Sequence, residues 1–149
     1  MTSFNIITTN DKSVLHYKRY NFFDTEINLS EFDSGAQFCP DSIYASPKIA
    51  NSLVCVIGEA GVHSQKIELF DYLNGKLNKM MFTDKLIKSD TLDSDVPKFS
   101  IVDYNNDKLL DVTADFRDYD TDPLKQGIRY FYKNDQNSFI YDKQEKVSY

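Results

Sequence analysis

The sequence predicts an all-β protein, a single domain of antiparallel hairpins in a sandwich-like or propeller-blade-like arrangement. Apolar residues either alternate with polar ones or form short continuous runs, as in strands, and no segment sustains the period of a helix. The dipeptide Asn74-Gly75 separates two such segments and supplies the two positive φ values of a type I′ hairpin turn. A length of 149 residues fits one domain with its own core, residues 1–149.

The N-terminal half has the clearest strand patterns. Residues 4–9 and 13–20 predict a hairpin in which Leu15 and Tyr17 share one face. Residues 53–57 form a continuous apolar run, which predicts a central strand covered on both faces. Residues 39–48 contain two prolines and predict an irregular connection, with at most a short edge strand at 42–45.

The C-terminal half predicts three further pairs of strands. The strands at 66–73 and 76–81 flank the Asn74-Gly75 turn, and those at 128–133 and 138–141 flank a polar turn. Between these pairs, strands at 99–102 and 112–116 flank a loop of oxygen-bearing side chains. The remaining segments are a polar stretch at 88–95 and an acidic loop at 117–127.

Residues 103–111 carry the oxygen-bearing side chains of a calcium loop. Carboxylate or amide oxygens stand at loop positions 1, 3, 5 and 9, and a backbone carbonyl is available at position 7. Calcium takes about six to eight oxygen ligands, and a short loop with this spacing wraps them around the ion. The predicted ligands are Asp103, Asn105, Asp107, the carbonyl of Leu109, and Asp111.

Two features distinguish this loop from an EF-hand. Its flanks are strands rather than helices, and it lacks the Glu that an EF-hand carries at position 12. Position 6, where Gly usually makes the sharp turn, is Lys108, which would take a positive φ at a cost of about 1 kcal/mol. The sequence therefore predicts a weak or vestigial calcium site, and the alternative is an Asx-rich turn without an ion.

Composition narrows the class of function. The net charge of −6 and the pI near 4.8 argue against binding nucleic acid and suit a basic protein partner. No segment approaches the ~20 apolar residues of a membrane span. The two histidines are far apart, and neither Gly-x-Ser-x-Gly nor His-Glu-x-x-His occurs, so we expect a protein that is not an enzyme.

The two cysteines and the N-terminus bear on the compartment. Cys39 and Cys55 could form one disulfide in an exported domain or remain two buried thiols, and the sequence leaves both open. The first residues do not read as a signal peptide, so the protein is either cytoplasmic or a periplasmic protein whose leader is absent from this sequence. A weak calcium site favours the periplasm, because such sites belong to extracellular modules.

The C-terminal third resembles a known family. Residues 101–112 resemble the calcium loop of FG-GAP and VCBS-type repeats. The continuation at 127–135 and 137–143 extends the likeness, over roughly 96–144, to a bacterial periplasmic family. That family includes calcium-binding inhibitors of lysozyme-like enzymes and immunity proteins that neutralise peptidoglycan-cleaving toxins of type VI secretion systems. The resemblance implies an immunity or inhibitor protein that blocks a basic cell-wall hydrolase.

Two loops are the predicted partner-binding elements. In the acidic loop, Tyr119 would be the aromatic anchor, with Asp120 and Asp122 as charge contacts. The second element is the loop at 59–64, with Glu59 and His63. The alternative reading of the acidic loop is that it extends the cation site or is simply solvated. The alternative function is a calcium-stabilised carbohydrate-binding or adhesion module.

Overall fold

The computed structural model describes residues 2–9, 12–19, 23–30, 32, 35–45, 51–59, 65–73, 75–83, 88–89, 92–94, 99–117 and 126–148. Every regular element among these residues is a strand, which confirms the predicted all-β class. The strands are β1 (Thr2–Thr9), β2 (Lys12–Arg19), β3 (Phe23–Asn28), β4 (Ala36–Ala45), β5 (Asn51–Glu59), β6 (Gln65–Leu73), β7 (Lys76–Lys79), β8 (Met81–Thr83), β9 (Lys88–Ser89), β10 (Leu92–Ser94), β11 (Phe99–Val102), β12 (Asp111–Arg117), β13 (Gln126–Asn134) and β14 (Ser138–Ser148).

The strands form three sheets. The first has the order β1-β2-β3, and the second has the order β10-β6-β5-β4, with β7 also paired to β6. The third has the order β11-β12-β13-β14-β8-β9. All pairings are antiparallel except that between β14 and β8. The sheets follow one another along the chain, apart from β8 and β9, which join the C-terminal sheet.

The second sheet is the middle layer, because β5 contributes side chains to two separate cores. Leu53, Cys55 and Ile57 point to one core, and Val54 and Val56 point to the other. The first core lies against the C-terminal sheet, and the second lies against the β1-β2-β3 sheet. The predicted central strand, covered on both faces, is therefore confirmed.

The N-terminal sheet packs through the face that carries Leu15 and Tyr17. Leu15 and Tyr17 are buried in the second core, while β1 and β2 pair from Thr9 with Lys12 onward as a hairpin. A buried carboxylate also joins this sheet to the middle sheet. Glu68 Oε1 accepts hydrogen bonds from the Ser30 amide at 2.8 Å and from Lys79 Nζ at 3.1 Å. This contact fixes the chain just after β3 onto β6 and β7.

The Asn74-Gly75 hairpin also forms as predicted, since β6 pairs with β7 from Leu73 and Lys76 onward. Gly75 has a φ of 80°, in the left-handed region that glycine adopts without a Cβ clash. Two predicted boundaries were wrong. The strand predicted at 76–81 ends at Lys79, and Met81 begins β8 in the C-terminal sheet. The edge strand allowed at 42–45 is present, but β4 also includes residues 39–41 of the predicted irregular connection, with a register irregularity between Phe38 and Ile43. The polar stretch at 88–95 contains two short strands, β9 and β10.

The two cysteines form a disulfide, which decides between the two states that the sequence left open. Cys39 in β4 and Cys55 in β5 have Cα atoms 5.5 Å apart, and both side chains are buried in the core between the middle and C-terminal sheets. The bond joins the edge strand β4 to its neighbour beside the irregular part of their pairing. It therefore holds together a pair of strands whose hydrogen-bond ladder is interrupted.

Reduction should destabilise the protein by about 3 kcal/mol, because the bond closes a loop with a sequence separation of 16. Urea unfolding followed by far-ultraviolet circular dichroism, with and without a thiol reductant, measures this. The Cys39→Ser/Cys55→Ser variant serves as the control, since it should unfold close to the reduced protein and show no response to reductant. Identical unfolding of the native protein in both conditions would contradict a stabilising bond.

Candidate functional site

The loop at 103–110 connects β11 to β12, so the structure places the predicted cation loop between two strands of the C-terminal sheet. Its side chains fold back on its own backbone. Asp103 accepts hydrogen bonds from the Asp107 amide at 3.1 Å and from the Lys108 amide at 2.8 Å. The oxygen of the Asn105 side chain accepts a second bond from the Asp107 amide at 2.8 Å. Asp107 in turn accepts from the Leu109 amide at 2.8 Å.

Two residues of this loop have left-handed backbone. Asn106 has a φ of 62° and Lys108 a φ of 70°, so Lys108 adopts the conformation that Gly usually supplies at position 6. A side chain with a Cβ takes this conformation at a cost of about 1 kcal/mol. The loop therefore keeps its curled shape although Lys108 replaces the usual Gly at position 6.

Asp111 lies at the end of the loop and is fully buried. Its Oδ1 accepts a hydrogen bond from the Asn134 amide at 2.8 Å, and Asn134 also donates from its side chain to the Leu110 carbonyl at 2.9 Å. Its Oδ2 is buried and has no hydrogen-bond partner among the residues that the structure describes. Burying a carboxylate oxygen without a partner costs free energy, which a proton, a cation or an ordered water at this atom would offset.

The electrostatics of Asp111 support the same conclusion. Burial is the main cause that raises the pKa of Asp111 to about 6; the nearby charges of Asp107 and Asp103 also raise it, and the amides of Asn134 and Tyr104 lower it. The carboxylates of Asp107 and Asp103 thus act electrostatically on the buried carboxyl of Asp111. Within the described ranges, no cluster of three or more His, Cys, Asp or Glu residues is disposed as a metal site. The predicted ligand set differs from a cluster of this kind, because it includes the side-chain amide of Asn105 and the backbone carbonyl of Leu109.

An aromatic contact fastens the loop to the final hairpin. The Tyr104 ring meets the Phe131 ring edge to face at 5.0 Å, and its hydroxyl donates to Asp142 at 3.0 Å. Burial, together with that hydrogen bond, raises the pKa of Tyr104, so it stays protonated as a donor. Lys143 Nζ lies 4.7 Å from the centre of the Phe131 ring. The loop is therefore held by β13 and β14 as well as by its own strands.

The turn of the final hairpin is itself hydrogen-bonded. Asp135 accepts from the amides of Asn137 and Ser138 at 2.9 and 2.6 Å. Burial alone would raise the pKa of Asp135, but these bonds outweigh it and lower the pKa. The turn thereby holds Asn134, the residue just before it, where its amide donates to Asp111.

A second buried acid lies on the same face of β12. Asp115 is fully buried, and Arg129 on β13 binds both of its oxygens, with Nε at 2.7 Å and Nη2 at 2.8 Å. The two residues are directly opposite in the β12–β13 pairing. This face of the C-terminal sheet, away from the core, therefore carries a line of buried polar groups from Asp111 to Asp115.

Of the predicted partner-binding residues, the structure describes only Glu59. Glu59 is exposed at the end of β5 and borders a cavity of about 320 Å³ that Gln37, Gln65 and Gly58 also line. Gly58 sits against the Phe32 ring and lies where an added Cβ would come within 2.8 Å of the Gly35 carbonyl. His63, Tyr119, Asp120 and Asp122 lie outside the described residues.

Sequence reasoning predicted the position of the loop but missed the residues that support it. The sequence placed Asn134 only in a polar turn. Its hydrogen bond to Asp111 spans 23 positions, and no local sequence pattern marks it. Tyr104 stands at loop position 2, between two predicted ligand positions, and its side-chain partners on β13 and β14 are still farther away in the sequence. Asp115 and Arg129 could have been paired only with the register of β12 on β13 in hand.

Comparison of the chain with protein-family models, with curated proteins and with solved structures found no match. The likeness of residues 96–144 to the calcium-loop inhibitor family therefore stays a prediction. Among the described residues, no helix is long and apolar enough to cross a membrane.

In a chelator, we expect stability to fall as the pH rises through the pKa of Asp111. The folded protein holds this proton up to about pH 6, whereas an unfolded Asp releases it near 3.8, so the folded state binds more protons in that window. The free energy of unfolding should drop by on the order of 2 kcal/mol between pH 4 and 7. Urea unfolding of Asp111→Asn against the native protein measures the contribution.

Asp135→Asn is the matched control. The pKa of Asp135 is lowered, so its contribution to the free energy of unfolding has the opposite pH dependence and is lost as the pH falls. This variant should retain the Asp111 contribution. An unchanged pH dependence in Asp111→Asn would show that Asp111 is ionised in the folded protein throughout the range.

Proposed function

We propose that this protein is a periplasmic immunity or inhibitor protein that binds and blocks a bacterial cell-wall hydrolase and holds a structural calcium ion. The proposal rests above all on one observation, the oxygen-lined loop packed on the final hairpin. This is the region of the chain whose sequence resembles the inhibitor family. The disulfide adds support for the compartment, because such bonds persist in oxidising environments such as the periplasm.

The calcium ion would be held by Asp103, Asn105, Asp107, the carbonyl of Leu109, and Asp111. It would neutralise the charges of Asp103, Asp107 and Asp111, and it would give the bare oxygen of Asp111 a partner. The ion thus acts on stability and on loop rigidity. The positive charge of Lys108 lies beside the ligands and lowers the affinity, so we expect the weak binding of an extracellular module, with a Kd on the order of 10⁻⁴ to 10⁻³ M.

Calcium at about 10 mM should raise the Tm by roughly 3–10 °C relative to a chelator, given that affinity and the size of the protein. Asp103→Ala with Asp107→Ala should abolish the difference. Glu26→Ala with Glu59→Ala removes the same charge from exposed positions and should keep the response. Differential scanning calorimetry makes the comparison. Superimposable melts of the native protein with calcium and with chelator would leave the loop as an Asx-rich turn.

The acidic charge supports a basic partner. Peptidoglycan is anionic and its hydrolases are often basic, so a net charge of −6 would speed the encounter and favour the correct partner. The scaffold also suits a blocking role, because three packed sheets and a disulfide present loops on a rigid body. A rigid surface loses little conformational entropy on binding.

The contacts would come from the acidic loop and from the end of β5. Tyr119 would insert as an aromatic anchor, with Asp120 and Asp122 on basic groups of the hydrolase, and Glu59 and His63 would form a second contact. Many of the other tyrosines serve the scaffold. Tyr130, Tyr132 and Tyr141 pack on one another or on Phe116 and Phe82, which leaves less ring surface for stacking on sugars.

Capture from an extract of the source organism, followed by a peptidoglycan-cleavage assay of the captured fraction, tests the function. We expect a hydrolase at near-equal stoichiometry whose activity falls when more of this protein is added. Tyr119→Ala with Asp120→Asn should weaken inhibition about tenfold or more, whereas Glu26→Ala should not. Retention on cell-wall polysaccharide without any hydrolase would instead support a carbohydrate-binding module. Unchanged affinity after separate deletion of 118–126 and of 59–64 would rule out both loops as contacts.

A further inference from the structure

The last strand has one edge that the described residues leave open. β14 pairs with β13 along nearly its whole length, with a register irregularity at Asp142, but on its other side β8 covers only Ser138–Ile140. Among the described residues, no strand pairs with that side of residues 141–148. An edge of this length offers a row of backbone donors and acceptors to another strand.

The open edge carries alternating charges. Residues 142–146 read Asp-Lys-Gln-Glu-Lys, and all five are exposed. Lys143 lies opposite Phe131 and Glu145 lies opposite Arg129, so both side chains are on the face of the sheet that carries Asp115. Gln144, opposite Tyr130, is on the other face. Lys143 and Glu145 are thus neighbours on one surface of the strand.

This sequence is complementary to itself in one antiparallel register. If a second copy of β14 runs antiparallel with Gln144 opposite Gln144, then Lys143 of each copy faces Glu145 of the other. Opposite charges directly across an antiparallel pair stabilise it by about 0.2–1 kcal/mol each, and like charges destabilise it. The two-fold axis produces the Lys143–Glu145 contact twice.

The neighbouring registers are disfavoured by the same charges. A shift of one residue in one direction places Lys143 opposite Lys146, and a shift in the other direction places Asp142 opposite Glu145. Each of these like-charge pairs also occurs twice across the two-fold axis. The charges therefore select the register centred on Gln144.

We propose that β14 is the interface of a homodimer, in which two copies join their C-terminal sheets through antiparallel pairing of residues 141–147 centred on Gln144. The occupant of the open edge is thus a second copy of this chain. The area of one strand edge is small, so the dimer is weak, with a Kd on the order of 10⁻⁵ to 10⁻⁴ M. The pairing requires neither a bound calcium ion nor the proposed hydrolase, although Tyr104 of the loop contacts this strand through Asp142.

Charge reversal tests the pairing, with sedimentation equilibrium from about 10 μM to 1 mM as the measurement. Lys143→Glu creates two Glu–Glu contacts across the axis, and Glu145→Lys creates two Lys–Lys contacts, so each should weaken the dimer about tenfold or more. Combining both changes in one chain restores opposite charges and should restore dimerisation. Lys76→Glu and Glu26→Lys alter the net charge equally at exposed positions on other sheets and should leave the dimer unchanged.

Hydrogen exchange at the backbone gives a second measurement, which does not depend on substitutions. Amides within 142–147 should become more protected as the protein concentration rises, and those of β1 should not. A protein that is monomeric throughout the range overturns the proposal, as does a dimer that is indifferent to both single reversals. A double reversal that stays monomeric, while its melting and circular dichroism match the native protein, would also overturn it.

Discussion

The C-terminal sheet depends on how one buried carboxylate is satisfied. Asp111 stands where the loop at 103–110 enters β12, and its side chain is fully buried. The Asn134 amide binds one oxygen, while the other has no partner among the described residues. Because a buried carboxylate is costly unless it is paired, protonated or bound to a cation, the state of this oxygen sets the stability of the loop and of the hairpin turn together. Tyr104 extends the same linkage to β14 through Asp142.

The middle sheet is the layer on which the C-terminal sheet packs. β5 supplies alternate side chains to the two cores, so the outer sheets are packed on opposite faces of one layer. Polar and covalent links supplement the packing where the strand pattern is interrupted. The disulfide joins β4 to β5 beside their irregular register, and Glu68 binds both Lys79 and the chain that follows β3. Loss of the disulfide or of the Glu68 hydrogen bonds would loosen an edge of the middle sheet before it affected the buried centre of β5.

The sequence was informative where the determining interactions are local. The alternation around Leu15 and Tyr17, the apolar run of β5, and Asn74-Gly75 are all short-range patterns, and each forms the expected element. Strand β4 was anticipated only at 42–45 because Pro40 and the register irregularity break the alternation, while pairing with β5 keeps the strand extended. The strands β9 and β10 are short and polar, and they are strands only because β8 and β6 pair with them. The support that Asn134 gives to Asp111 depends on tertiary contact and could not be read from spacing.

The most direct test of this account is a calcium titration followed by two-dimensional ¹H–¹⁵N nuclear magnetic resonance. The Asn134 amide reports on Asp111, although it lies outside the loop and 23 residues away. The account predicts that the amides of 103–111 and of Asn134 shift together at millimolar calcium, while the amides of Val54 and Val56 on β5 stay in place. It also predicts that Asp111→Asn removes the response of Asn134. A titration in which no amide shifts, or in which Asn134 stays unmoved while the loop shifts, would contradict the account.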